Sequence, residues 1–182
     1  MTIAATAAAS DDLELLVRSL EATGLTEVVA DPAADLTVFA PNDAAFGRLA
    51  ADLGFEGDVA DEDAVFDFLV GALGPLSPDG DPVTLLRDVL LYHVLSGART
   101  SVEIAEAELL ATALDDATIA PAGADLVDAE PDLVDPTIVS GDVVADNGIV
   151  HVVDRVLLPV DVPGNTPEAT IAEIAAASDD FD

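Results

Sequence analysis

The sequence has no cysteine, no lysine and no tryptophan, a single tyrosine and only two histidines. Without cysteine there are no disulfide staples and no thiolate metal sites, and the redox compartment stays open. Without lysine, five arginines stand against 37 acidic side chains, for a net charge of −32. A field of that sign repels phosphate backbones and anionic headgroups, so neither nucleic acid nor a membrane surface is expected as a partner. No apolar run approaches the roughly 18 residues that would span a bilayer. Residues 1–10 also lack the basic start and apolar stretch of a signal peptide. Aromatics make up only 4% while apolar residues reach 51%, so the core must be built from Ala, Val, Leu and Ile, with Phe at a few anchors.

The equipment of most enzymes is also missing. There is no Gly-x-Ser-x-Gly elbow, no His-Glu-x-x-His zinc pattern and no phosphate-cradling glycine loop. A pair of carboxylates of the glycosidase kind is the one catalytic arrangement still open, but at this acidity accidental pairs are plentiful. The expectation is a domain without catalysis and without a cofactor. Calcium is possible, because so acidic a surface needs screening by concentrated salt or by divalent ions held between carboxylates.

What is present reads as helices first and strands later. Ser10, Asp11 and Asp12 are capping candidates before Leu13, Leu16, Val17 and Leu20 at helical spacing, with Gly24 as the stop. Leu36–Ala40 is a short apolar strand closed by Pro41, after which Asn42 or Asp43 can cap a helix burying Phe46, Leu49 and Leu53. Val65, Phe66, Leu69, Val70 and Leu73 mark another helix, residues 74–82 a loop, and Leu85, Leu86, Val89 and Leu90 a helix running to Tyr92 and His93. Beyond residue 110 come short β-prone runs: 118–120, 137–139, 143–145 and 149–158. Asn147-Gly148 between two of them is a hairpin signal. Residues 149–158 are apolar on both parities, which predicts a central strand covered on both faces. This order of elements indicates an α+β domain whose sheets are mostly antiparallel.

One domain is expected over residues 1–159, followed by a Pro- and Gly-containing linker over 160–169. Residues 2–12 read TIAATAAASDD and residues 170–180 read TIAEIAAASDD, identical at nine of eleven positions. Residues 170–182 are therefore expected to begin a following tandem repeat and to pack poorly in this domain.

Three segments in order resemble the signatures of fasciclin (FAS1) domains: the box from Thr37 through Phe39, Pro41, Asn42 and Asp43 to Phe46; Tyr92-His93; and the late box from Asn147 and Gly148 through His151 and Asp154 to Pro159. The resemblance implies helices packed on a wedge-like pair of β-sheets, frequent tandem copies, and an adhesion or interaction role at the cell surface or outside the cell. Cell-surface or matrix proteins or glycans would then be the partners, with the isolated domain monomeric. A spacer repeat in a long, calcium-associated secreted protein is the alternative. The family's Tyr-His region has been associated with cell binding, which makes Tyr92 and His93 partner-binding candidates; by their surroundings they equally suit a half-buried, hydrogen-bonded pair. His151 and Asp154 lie three apart on a strand, point to opposite faces and cannot chelate one metal together without a bulge.

Overall fold

The computed structural model describes residues 1–131 and 133–161. The expected linker at 160–169, beyond its first two residues, and the expected following repeat at 170–182 lie outside the described residues.

Two sheets organise the chain. The larger holds β2 (Val94–Ser96), β1 (Leu36–Pro41), β7 (Gly148–Val153) and β6 (Ile138–Ala145) in that order, and the smaller holds β3 (Leu110–Ala111), β4 (Thr118–Ala122) and β5 (Asp125–Val127). Every pair is antiparallel except β1 with β7, which run parallel. Single bridges join the sheets at both edges, Leu95 to Thr112 and Asp125 to Thr137. Edge strands that would otherwise expose unpaired backbone groups are thereby partly covered.

The strand period of two divides the core. Val38 and Ala40 of β1 and Val150 of β7 face a helical layer, with Leu16, Leu20, Phe46, Leu69, Leu85 and Val89 in the same cluster. Phe39 and Val153 face the other way, into a second cluster with Tyr92, Leu95, Ile104, Ile119, Leu126 and Leu157 between the sheets. The helices are α1 (Ile3–Ala8), α2 (Glu14–Thr23), α3 (Thr26–Ala30), α4 (Asp43–Asp52), α5 (Glu62–Leu73), α6 (Pro82–Tyr92) and α7 (Ser101–Glu106). β7 is central in its sheet, and its two faces find cover in different clusters, Val150 against the helices and Val153 between the sheets.

Several local expectations are corrected. Ser10, Asp11 and Asp12 do not cap α2: they form a turn, and the free amides of Glu14 and Leu15 bond instead to the Asp43 carboxylate, at 3.3 and 2.8 Å. Asn42 caps α4 through Ala45 N–H at 2.8 Å, so the two adjacent residues cap two different helices. α2 ends as expected, with Gly24 in the left-handed region at φ 72°. The 137–139 and 143–145 runs are one strand, β6, irregular where Asp142 takes φ 59°. The 149–158 run leaves the sheet after Val153, because Leu157 and Leu158 donate their amides to His93 and Asp128 rather than to a neighbouring strand.

The 146–148 hairpin exists in another register than Asn-Gly suggested. Ala145 pairs with Gly148, leaving Asp146 and Asn147 as the two turn residues, and neither has positive φ. Gly148, at φ 149°, is required for a different reason: a Cβ there would overlap the Leu36 carbonyl oxygen of β1.

Candidate functional site

Tyr92 and His93 close α6 and enter the core together. Tyr92 is 0% exposed and its hydroxyl donates to the Thr118 carbonyl at 2.8 Å, tying α6 to β4. Burial, then the Asp128 charge, pushes its phenol up to about 12. His93 is 1% exposed, its Nδ1 donating to the Val89 carbonyl at 2.7 Å and its Nε2 accepting from Leu157 N–H at 2.9 Å. That pairing fixes the neutral Nδ1-H form, and burial lowers the imidazole to about 4 against the opposing Val89 bond. Neither ring reaches the surface. The two partner-binding candidates are corrected to structural roles, because every polar atom they carry is already bonded inside.

His151 behaves likewise, on the same face of the larger sheet as Phe39. It is 0% exposed and packs 6.0 Å from the Phe39 ring. Its Nε2 donates to the Arg99 carbonyl at 2.8 Å, and its Nδ1 accepts from Asp142 N–H at 3.1 Å. With both nitrogens of both histidines engaged by backbone groups, neither can serve as a general base in this geometry. Asp154 accepts from Thr137 N–H at 2.9 Å and lies 3.8 Å from Arg48, which also donates to the Asp154 carbonyl. Thr37, fully buried, donates to the Gly97 carbonyl at 2.7 Å and accepts from Arg99 N–H at 2.8 Å. Asn147 is a three-way clamp: its side chain accepts from Ile3 N–H and donates to the Val29 and Asp31 carbonyls at 2.8–3.0 Å. Pro159 is half-buried at the end of the late box.

These motif residues do build something at the surface. His151 holds the β6 irregularity, where Asp142 accepts from the Ser101 amide and hydroxyl at 2.8 and 2.6 Å. The Ser101 hydroxyl and then its amide hold the Asp142 carboxyl below the usual range. A Cβ at Gly141 would press on His151 Nδ1 at 3.2 Å, so glycine lets the strand come this close. The result is a groove of about 560 Å³ between α7, the β4–β5 turn and β6. Its floor includes Val102, Ala105, Ala124, Ile138 and Val139, and Glu106 and Asp142 are its acidic members. Val102 and Val139 are 63% and 55% exposed and lie together in this groove.

Sequence reasoning missed this groove because it passed over residues 97–109. A signal was there: Thr100 and Glu103 form a reciprocal capping box that starts α7. Among the described residues, no three His, Asp or Glu side chains converge as metal ligands. The densest carboxylates line a second groove of about 510 Å³ with Asp11, Asp12, Asp43 and Glu62. There burial raises Asp43 and Glu62, and Glu62 is raised further by a hydrogen bond with Glu14. No helix of the described residues is long and apolar enough to cross a membrane.

Two sheets bridged at their edges, helices packed on one of them, and a buried histidine behind an open groove define an α+β domain. The chain belongs to the Fasciclin domain family, which matches residues 11–65 and 75–159. It is 30% identical over 159 residues to protein sll1483 of Synechocystis sp., covering 87% of this chain and 74% of that protein. It is 28% identical over 158 residues to sll1735 of the same organism, covering 83% and 93%. The fold is similar to a FAS1 domain pair from the insect cell adhesion molecule Fasciclin I, with a TM-score of 0.64 and 16% identity. That match covers 91% of this chain and 52% of the other, so the chain spans about half of the two-domain structure.

Proposed function

We propose that this domain is an adhesion or protein-interaction module, secreted or displayed at the cell surface, and that the groove between α7 and β6 receives its partner. Membership of the Fasciclin family supports the class of role. The observation that carries the choice of surface is the open apolar floor at Val102, Ala105 and Val139, braced from behind by motif residue His151. A partner with apolar side chains flanked by arginine or lysine is the best complement, since Glu106 and Asp142 lie in the groove and the whole chain carries −32. No step of catalysis is proposed.

Replacing exposed Val102 and Ala105 by arginine fills the groove and offsets the charge of Glu106 and Asp142 while leaving both buried clusters alone. Surface plasmon resonance or cell-attachment assays should show binding lost, with an unchanged melting temperature. Binding that survives both changes would place the partner on another surface, and a wild type that binds no surface at all would favour the spacer alternative.

A further inference from the structure

We propose that the partner enters the groove beside α7 as an extended strand added to the outer edge of β6, a segment with β-branched apolar residues between arginines or lysines. This rests on the groove being the binding surface, and adds the conformation and chemistry of what binds there.

β6 is the last strand of the larger sheet, with β7 on its inner side. Its outer side starts out covered by β5 and the residue before it. Leu126 N–H donates to the Pro136 carbonyl, Asp125 bridges to Thr137, and Ile138 N–H donates to the Ala124 carbonyl at 2.9 Å. There the pairing stops, and among the described residues no further strand joins the sheet beyond β6. An open edge of this kind offers backbone donors and acceptors to any extended chain that can reach it.

Both faces beside this edge are recessed. The groove of about 560 Å³ lies between β6 and α7, with Val102 and Ala105 on the helix side. A second groove of about 390 Å³ is walled by Val143, Val150 and Val152. Val139 lines both. Side chains of an added strand alternate between the two faces of a sheet, so each parity meets an apolar recess. A helix laid beside α7 would satisfy its own backbone and leave the β6 edge as it is, whereas an extended chain uses the edge and both recesses.

Charge selects the occupant. Glu106 and Asp142 lie in one groove and Asp12 in the other. A second copy pairing edge to edge would set Asp142 and Asp146 against their like, on chains of −32 each. A basic segment with β-branched residues has the opposite charge and the strand preference. The irregularity between Ser140 and Val143, held by His151, discourages long flat pairing, so the added strand is short.

The peptide Arg-Val-Thr-Val-Thr-Val-Arg, blocked at both ends, is the probe, with calorimetric titration and amide exchange of the full chain as readouts. It should bind and slow exchange within residues 139–145, and the same peptide flanked by glutamate should not bind. Two further peptides carry N-methyl groups on the valine amides or on the threonine amides, with every side chain kept. Successive amides of a strand point to opposite edges, so one of the two should bind about tenfold more weakly, the effect of one or two lost hydrogen bonds, and the other like the parent. A parent peptide that does not bind, or methylated peptides that bind alike, would overturn the strand. Val102→Arg with Ala105→Arg should weaken the parent peptide too. If it does while the methylated peptides bind alike, the groove stands and only the strand falls; binding indifferent to both arginines would sink the groove itself.

Discussion

Replacing Asp128 by asparagine should make the domain lose stability in mild acid that the wild type keeps. Two buried groups titrate there with opposite signs. Asp128 accepts the Leu158 and Glu130 amides at 2.8 and 2.9 Å, yet burial raises it to about 6, with the charges of Asp135 and Glu130 adding to the rise. Its ordinary value is 3.8, so between pH 6 and 4 the folded state binds more protons than the unfolded, and stability from this group grows as pH falls. His93 runs the other way. Lowered from 6.5 to about 4, it stays neutral when folded and charges when unfolded, so its stabilisation is complete above pH 6.5 and is lost as pH falls toward 4. At 1.36 kcal/mol per pH unit, each shift corresponds to roughly 3 kcal/mol, and over the shared window they largely cancel. In Asp128→Asn only the histidine term remains. Relative to wild type, the variant should become about 2–3 kcal/mol less stable between pH 7 and pH 4, whatever its offset at pH 7. Urea unfolding at fixed ionic strength measures this difference directly, and other carboxylates cancel because both proteins share them. A wild-type-to-variant difference that does not change with pH would refute the assignment of a raised carboxyl at Asp128.

Gly148→Ala should cost at least about 3 kcal/mol, since it combines positive φ with overlap on the Leu36 carbonyl; a urea midpoint near wild type would show that β1 and β7 can part without loss. Sodium chloride should raise the melting temperature by screening a charge of −32. Calcium chloride at matched ionic strength should raise it further if divalent ions are held between carboxylates, and an equal curve would leave screening alone.

Much of the fold was legible in the residues. The Gly24 stop, the strand into Pro41, the Phe46 stripe and the helix ending at Tyr92 follow from 3.6- and 2-residue periods and from backbone chemistry that acts within a few positions. The three family segments were legible too, being contiguous strings. What tertiary structure alone decided are relations between residues far apart in sequence. Asp43 caps a helix that lies 28 positions earlier, which no local rule for N-caps can indicate. Gly148 is demanded by a carbonyl on a strand more than a hundred residues away. Tyr92 and His93 sat at the end of an amphipathic helix, where sequence allows either a wet or a dry end. The smaller sheet made the end dry by placing Thr118 over the phenol, while Leu157 met the imidazole, so two residues that the family resemblance offered for partner contact are internal braces. The groove beside α7 belongs to the same class, because α7, the β4–β5 turn and β6 that line it come from separate stretches of chain.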